Sequence, residues 1–288
     1  MAKRVIRLKE YRPGSDQMCV PTPEYLARTD GTLGSGPFRC RTDLNGFIET
    51  GNSLMPDPRQ VIFLGDSFVE SVYSPEQDRF ISVAERELIK AGHSVQFRNG
   101  GYSGSTTLQL INVILNKVYP LTGPGGTIVF FGPHSDRDYL YKQGSYWSNT
   151  PRGATILPPG EAGHVDIPRG MASAESVLKL LVSTTRHLGL HLVFATTPYR
   201  EGDYETDPIF KQNYHEREDW FRRGMVRRRQ WIALLKQTAL DYAIPLIDVQ
   251  QIVNGQSKYF YDELHLSPAG HQVVAGHLVE NLTSVLHV

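Results

Sequence analysis

Two stretches of this sequence carry the side chains that nucleophilic catalysis needs. Gly65-Asp66-Ser67 directly follows an apolar run at 61–64 that has the length of a buried strand. A serine at the end of such a strand presents its hydroxyl at the open edge of the sheet, where the next backbone N–H groups can stabilise an oxyanion. Ser67 is therefore a candidate nucleophile. The alternative is a plain helix start, because Asp66 and Ser67 both cap helices well.

The second stretch lies near the end of the chain, where Asp262 precedes His265 by three residues. Ser267 and Pro268 open a helix in the preferred way, with serine as N-cap and proline in the first helical position, so His265 lies in the loop before that helix. Asp262 is near enough to bond one imidazole nitrogen while the other faces outward. Such a pair supplies the base that a serine needs at neutral pH. A structural Asp–His hydrogen bond is the alternative.

Two further loops follow apolar runs and place polar groups at the same edge of the predicted sheet. Residues 99–107 are rich in glycine, and the Gly104 N–H is a candidate oxyanion donor. A tight glycine turn without a chemical role explains this loop equally well. Residues 131–136 contain His134 and Ser135, and ordinary turn chemistry accounts for them as well as catalysis does.

A scaffold must bring the early serine to the late histidine, and short apolar runs alternating with amphipathic helical patterns predict one. The predicted strands cover 61–64, 95–97, 127–131, 190–195 and 244–248. The predicted helices cover 78–91, 106–119, 170–188, 215–242 and 268–286, the second of them ending at Pro120. This alternation predicts an α/β fold in three layers, α/β/α, with a five-stranded parallel sheet whose carboxyl ends share one edge.

The regular pattern does not extend over the whole chain. Residues 1–57 are rich in Gly, Pro, Asp and Thr and read as an irregular N-terminal arm packed on the core, while 58–288 form the α/β domain, so that we expect one domain overall. Two aromatic-rich segments follow the carboxyl ends of predicted strands and are candidate substrate walls. They cover 137–168 and 198–220.

Four residues near the predicted edge are our candidate substrate contacts. Trp147 and Tyr199 come from the two aromatic segments, and Asp66 and Tyr102 come from the loops that follow the first two strands of the predicted sheet. A further candidate is a group of arginines on the long helix, where a solvated helix face and a site for an anionic substrate are the two interpretations. The group comprises Arg222, Arg223, Arg227, Arg228 and Arg229.

Composition limits the classes of partner. The 288 residues include 30 Lys plus Arg and 30 Asp plus Glu, so no net charge draws the chain to nucleic acid or to an anionic membrane. We expect no membrane span, because no apolar run approaches about 20 residues. The charged N-terminus precedes only short apolar pieces, which favours a mature cytoplasmic enzyme over a secretory signal. Cys19 and Cys40 are expected to be free thiols, with one disulfide between them as the alternative.

No cofactor is expected from the motifs. The spacing of Cys and His fits no zinc site, and we predict a metal-independent enzyme. A Walker-type or dinucleotide-binding glycine pattern does not follow the first strand of the predicted sheet, so nucleotide hydrolysis and hydride transfer fit poorly.

Taken in order, the motifs resemble the SGNH (GDSL-type) hydrolase family. Gly-Asp-Ser follows one strand and Asn-x-Gly-x-x-Gly the next, and Asp-x-x-His precedes the last helix, so that the resemblance spans about 58–286. The segment from Arg41 to Phe47 also resembles the arm of a subset of that family. The resemblance implies a flavodoxin-like sheet, Ser67 as nucleophile, His265 as base and Asp262 as its orienting carboxylate. It further implies that the Ser67 and Gly104 N–H groups are oxyanion donors.

The sequence departs from the family at the third oxyanion donor. The family has an asparagine in a Gly-x-Asn-Asp loop, whereas this chain has Gly132-Pro133-His134-Ser135. By position His134 replaces the asparagine, with Ser135 as the alternative, and an imidazole N–H or a hydroxyl still donates a hydrogen bond. Loss of such a donor typically costs about 3–4 kcal/mol of transition-state stabilisation.

Three functions follow from these observations. The first is hydrolysis of O-acyl esters, on a carbohydrate or a small metabolite, through an acyl-enzyme at Ser67. The second uses the same residues to transfer the acyl group to a sugar or metabolite hydroxyl instead of water. The third is ligand binding without catalysis, a hypothesis suggested by the missing asparagine.

Overall fold

The computed structural model describes residues 9–53, 55–136 and 171–285 of the chain. The strands are β1 (Asp16–Cys19), β2 (Phe38–Arg41), β3 (Arg59–Gly65), β4 (Val95–Gly101), β5 (Thr127–Phe131), β6 (His191–Ala195) and β7 (Leu246–Ile247). The helices are α1 (Pro23–Leu26), α2 (Ser67–Glu70), α3 (Phe80–Lys90), α4 (Thr107–Val113), α5 (Tyr119–Thr122), α6 (Met171–His187), α7 (Pro208–Asn213), α8 (Glu218–Asp241), α9 (Val249–Val253) and α10 (Pro268–Val285).

The central sheet has five parallel strands in the order β4-β3-β5-β6-β7. The first strand of this sheet along the chain is β3. The next strand, β4, pairs on one side of β3, and β5, β6 and β7 follow in order on its other side. This reversal makes β3 the point where loops diverge to both sides, and parallel α/β sheets bind ligands at the carboxyl end of that position. The five-stranded, three-layer α/β prediction is confirmed, and Ser67 lies directly after β3.

Two apolar cores cover the two faces of the sheet. Along β3, Val61 and Phe63 belong to the core shared with α3 and α10, whereas Ile62 and Leu64 belong to the core shared with α4, α6 and α8. All four side chains are fully buried, and each contributes about 1.5–3 kcal/mol through burial. Both faces of β3 are therefore covered, which explains why its sequence is a continuous apolar run rather than an alternating one.

Prolines account for two of the differences between the predicted and the observed elements. The helix expected to end before Pro120 continues beyond it, as a π-helical turn (Ile114–Val118) followed by α5. Proline lacks the N–H that a helix interior needs, but in α5 it lies in the first turn, where that donor has no helical partner. The strand predicted over 244–248 shortens to the two residues of β7 at the sheet edge, since Pro245 has no N–H to donate to a ladder.

The arm forms its own small hairpin and packs on the domain. β1 and β2 pair antiparallel, and Cys19 and Cys40 lie on these strands as free thiols. The arm is joined to the sheet where Ile48 N donates to the Asn99 carbonyl at 2.8 Å, next to the buried ring of Phe47. No helix in the described ranges is long and apolar enough to cross a membrane.

His271 fixes the start of α3. The Phe80 N–H donates to His271 Nδ1 at 3.2 Å, and Nε2 lies 2.8 Å from the Ser74 hydroxyl. The ring is buried and stacks on the Phe80 ring. Burial, assisted by the charges of Arg79 and His265, lowers the pKa of His271 to about 3. His271 is therefore neutral in the folded protein.

Because His271 is neutral in the folded protein, the free energy of unfolding depends on pH. Below the usual histidine pKa of about 6.5 the unfolded chain takes up a proton that the folded protein refuses, so stability is lost as pH falls from about 6.5 towards 3. We expect a slope of up to about 1.4 kcal/mol per pH unit from this residue. Urea unfolding across that range should show a shallower slope for His271→Gln than for the wild type and for the exposed control His187→Gln. Equal slopes in all three proteins would refute the assignment.

Candidate active site

The structure brings Ser67, His265 and Asp262 into one chain of hydrogen bonds. His265 Nε2 lies 2.9 Å from Ser67 Oγ, although the two residues are 198 positions apart in the sequence. On the other side of the ring, His265 Nδ1 lies 2.7 Å from Asp262 Oδ2. With Nδ1 protonated towards the carboxylate, Nε2 is an acceptor for the serine O–H. This is the hydrogen-bonded order of a nucleophile, its base and the group that orients the base.

The local fold of the 262–265 loop holds this arrangement. Asp262 Oδ1 accepts the backbone N–H groups of Leu264 and His265, each at 2.7 Å, so the carboxylate organises the turn that carries the imidazole. The Tyr261 ring stacks on the imidazole with an interplanar angle of 14°. The three-residue spacing of Asp262 and His265 thus closes a side-chain-to-backbone turn and orients the ring at the same time.

The charges around the site favour His265 as a base and keep its partner Asp262 ionised. Burial alone would raise the pKa of Asp262, but the neighbouring His265 and its hydrogen bonds outweigh burial and lower the pKa to about 2. Burial alone would lower the pKa of His265, but the carboxylate of Asp262, assisted by Asp66 and Glu70, raises it above its usual value. The imidazole is therefore a stronger base than a free histidine.

The raised pKa of His265 predicts the acid limit of activity. A base must be unprotonated to accept the serine proton, so kcat/KM should fall as pH drops through the His265 pKa, with the midpoint above the usual value of about 6.5. Asp262→Asn removes the charge that raises this pKa, so its midpoint should move to lower pH along with a loss of rate. The pH profile of ester cleavage for both proteins is the measurement, and a midpoint that stays in place would contradict the assignment.

The two residues predicted to supply backbone oxyanion donors, Ser67 and Gly104, line the same cleft. Ser67 is the first residue of α2, and Asp66 caps that helix by accepting the Phe68 N–H at 3.2 Å. Gly104 has a positive φ of 71°, which glycine adopts without strain, and it lines the same cleft as Ser67. That these two residues supply oxyanion donors through their N–H groups stays a prediction.

The loop after β5 places both candidates for the third donor at the cleft. His134 and Ser135 both line it. His134 Nε2 lies 3.2 Å from the Pro198 carbonyl oxygen, which can only accept, so the ring N–H is directed to the backbone in this state. Ser135 N donates to Asp66 Oδ2 at 3.3 Å, which ties this loop to the nucleophile turn.

The four predicted substrate contacts have different positions. Asp66 lines the cleft, but its buried carboxylate accepts the backbone N–H groups of Phe68 in α2 and of Ser135 in the loop after β5. Tyr102 packs against the Tyr11 ring, with centroids 5.2 Å apart, and not on the cleft wall formed by the described residues. Tyr199 is buried beneath the Arg228 guanidinium, whose centre lies 5.4 Å from its ring. Trp147 lies outside the described residues.

The described segment of the two candidate substrate walls, 198–220, does not line the cleft. The tyrosines of residues 198–220 pack into an apolar cluster between the strand ends and α8 because their rings find buried partners there. This cluster contains Tyr199, Tyr204, Phe210, Phe221, Met225 and Ile232. Residues 137–168 lie outside the described residues.

The cleft itself has a volume of about 610 Å³ and includes residues that the sequence did not single out. Tyr25 and Thr22 from the arm line it, as do Glu70 and Tyr73 near α2. Glu70 lies three residues after Ser67, one helical turn away, and this spacing is a signal that could have found it. The Tyr11 hydroxyl donates to Glu70 at 2.7 Å, and burial raises the pKa of Glu70.

The arginines on α8 do not all have the same surroundings. Some fit a solvated helix face, and one lies at the cleft where an anionic substrate site was considered. Arg222 is exposed and pairs with Glu218 one turn before it, as expected for a solvated helix face. Arg228 is buried, lines the cleft and donates to the Glu263 carboxylate at 2.9 Å. The cleft thus contains a cation whose charge is already balanced.

Comparison with known proteins supports the fold. No family model and no curated protein matches the sequence. Among solved structures, the acetyl xylan esterase AlAXEase is 14% identical with a TM-score of 0.52, over 77% of this chain and 98% of its own. Axe2, an acetylxylan esterase from Geobacillus stearothermophilus, is 16% identical with a TM-score of 0.53, over 78% and 94%. A member of the lipolytic G-D-S-L family from Veillonella parvula is 17% identical with a TM-score of 0.50, over 78% and 98%.

These likenesses show that the chain shares the α/β fold of these esterases and of the G-D-S-L family member, which is the fold that its motifs predict. At these levels of identity the fold is the property that the structures share with it. The chemistry of the cleft has to be argued from its own residues.

Proposed function

We propose that this protein is a serine esterase that hydrolyses O-acyl esters through an acyl-enzyme at Ser67. The observation that carries the proposal is the continuous hydrogen-bonded chain from Asp262 through His265 to Ser67, with distances of 2.7 and 2.9 Å, at the wall of an open cleft. The esterase names of the structural neighbours are consistent with this chemistry.

In the first half-reaction, Ser67 Oγ attacks the ester carbonyl carbon while His265 Nε2 accepts its proton. The tetrahedral intermediate then collapses as the C–O bond to the alcohol breaks, and His265 returns the proton to the leaving oxygen. In the second half, His265 deprotonates a water molecule that attacks the acyl-enzyme, which releases the acid and restores Ser67. Asp262 stays ionised throughout, in agreement with its pKa of about 2.

The oxyanion of the intermediate would be stabilised by the backbone N–H groups of Ser67 and Gly104. For the third donor we favour Ser135 over His134. Both residues line the cleft, but the His134 ring N–H is directed to the Pro198 carbonyl and is therefore already engaged. A hydroxyl in place of the family's asparagine amide keeps a hydrogen-bond donor in this position.

The cleft wall fits a hydroxylated substrate. The tyrosines Tyr25, Tyr73 and Tyr261 line it together with the carboxyl of Glu70. Aromatic faces and carboxylates are the groups that pack against and hydrogen-bond to sugar rings. We therefore propose acylated carbohydrates, or similar acylated polyols, as the substrate class.

Product analysis tests the proposed function. Acetylated sugars and aryl acetates would be incubated with the wild type and with Ser67→Ala, and the released acid would be quantified. Acid release by the wild type and none above background by Ser67→Ala is the expected result. Repeating the reaction with an unacylated sugar as acceptor distinguishes hydrolysis from transfer, because transfer yields a new ester in place of acid. Equal acid release by both proteins would overturn the proposal.

A further inference from the structure

We propose that Tyr25 of the N-terminal arm is a positioning residue for the catalytic base pair, an inference that rests on the proposed function. The Tyr25 hydroxyl donates to Asp262 Oδ2 at 2.9 Å, although the two residues are 237 positions apart in the sequence. The same hydroxyl oxygen lies 3.2 Å from His265 Nδ1. Tyr25 therefore meets the carboxylate and the imidazole at the point where these two bond each other.

The hydroxyl completes the hydrogen bonding of Asp262. Oδ1 accepts two backbone N–H groups of its own loop, while Oδ2 accepts the His265 Nδ1–H at 2.7 Å and the Tyr25 O–H. A carboxylate with donors on both oxygens is held in one rotamer and kept ionised. Tyr25 thus supplies a second donor on Oδ2, and this donor comes from outside the loop that carries Asp262.

Tyr25 is able to keep this role across the working pH range. Burial and the negative charge of Asp262 raise the pKa of Tyr25, so its hydroxyl keeps its proton and stays a donor. The phenol is half-buried and lines the same cleft as His265.

The arm holds the ring of Tyr25 in place. The residue lies on α1, which starts with Pro23 and is capped by the Thr22 hydroxyl. The ring packs against Tyr73, with centroids 5.3 Å apart, and edge-on against Tyr261. Just after α1, Asp30 N donates to the Tyr261 carbonyl at 2.8 Å, which ties the arm to the loop that carries the base pair.

Removal of the hydroxyl alone should therefore affect the rate more than binding or stability. Tyr25→Phe keeps the packed ring, and we expect it to lower kcat about tenfold, since the lost partner is a hydrogen bond to a charged group. KM should stay within about twofold, and Tm close to that of the wild type. Tyr119→Phe is the matched control, because Tyr119 packs against the apolar core shared with α4, α6 and α8, away from the cleft.

A double-mutant cycle with Asp262→Asn separates positioning from a general structural effect. If Tyr25 acts through the Asp262 carboxylate, Tyr25→Phe should have almost no further effect on kcat in the Asp262→Asn background. The downfield proton resonance of His265 Nδ1–H, identified by its absence in His265→Gln, gives a second readout that needs no turnover. It should shift in Tyr25→Phe and stay in place in Tyr119→Phe.

The outcomes separate the two proposals. Wild-type kcat in Tyr25→Phe, or the same tenfold loss in both backgrounds, would overturn the role of Tyr25 and leave the esterase proposal intact. An unchanged Nδ1–H resonance would do the same even if Tyr25→Phe folded poorly. A wild-type protein that neither releases acid from esters nor reacts at Ser67 would overturn the proposed function, and the positioning role with it.

Discussion

Replacing His265 with glutamine is expected to lower kcat for ester cleavage by about 10⁴-fold or more. Glutamine has similar length and can hydrogen-bond to Ser67 and Asp262, but it cannot accept a proton at neutral pH. Ser67 Oγ then keeps its proton and remains a weak nucleophile. In the described residues the serine proton passes to the base through the 2.9 Å contact between His265 Nε2 and Ser67 Oγ, so the substitution removes the acceptor from that contact. Steady-state kinetics with an aryl acetate measures the loss.

The matched control is His215→Gln, since His215 is an exposed histidine away from the cleft. Its kcat and KM should equal those of the wild type. A His265→Gln variant that keeps more than about a tenth of wild-type kcat would show that another group serves as base, since a general base typically contributes about 10²–10⁴-fold.

A single methyl group at Gly101 is expected to impair both stability and activity. Gly101 ends β4 beside the nucleophile helix α2, and a Cβ there would stand 2.3 Å from the Glu70 backbone nitrogen and 2.7 Å from the Val69 carbonyl carbon. Backbone atoms cannot rotate away, so Gly101→Ala must displace the short helix that carries Ser67. Overpacking of this kind costs about 1–3 kcal/mol or more of unfolding free energy. A shift of about 1 Å at a catalytic group can cost about 10²-fold in rate.

Urea unfolding and kcat together measure this effect. Gly224→Ala is the control, because Gly224 lies within α8 and a Cβ there meets nothing within 4 Å. Alanine is the better helix former by about 1 kcal/mol, so this control should be neutral or slightly stabilising. If Gly101→Ala behaved like Gly224→Ala, the tight approach of β4 to the nucleophile helix would have no importance for folding or catalysis.

The apolar periodicity of the sequence predicted the five strands of the central sheet. It did not predict the helix boundary at Pro120 or the long-range contact of His271. Strands such as Thr127–Phe131 are continuous apolar runs because both faces of the sheet are covered, and such runs are distinct in sequence. Pro120 was misleading because a π-helical turn before it lets a new helix start with proline in its first turn. His271 accepts the Phe80 N–H at the start of α3, and local periodicity does not predict a contact that spans 191 positions.

The candidate site was predictable where a motif combines local geometry with chemistry. Asp262 and His265 are close in sequence, and their spacing alone closes the turn that orients the imidazole. Tyr199, a candidate substrate contact, lies in a buried apolar cluster, because a tyrosine after a strand end can equally pack into the core. Tyr25 carried no signal, since it lies in an arm without periodicity and reaches the site only through tertiary packing.

Labelling with a serine-directed fluorophosphonate tests the central claim most directly. The reagent reacts at a serine whose hydroxyl is activated by a neighbouring base, so the wild type should gain one adduct that peptide mass spectrometry maps to Ser67. Ser67→Ala should gain none, and His265→Gln should react far more slowly although its serine is intact. Labelling of the Ser67→Ala variant at the wild-type rate, or a wild-type Ser67 no more reactive than that of His265→Gln, would contradict the account.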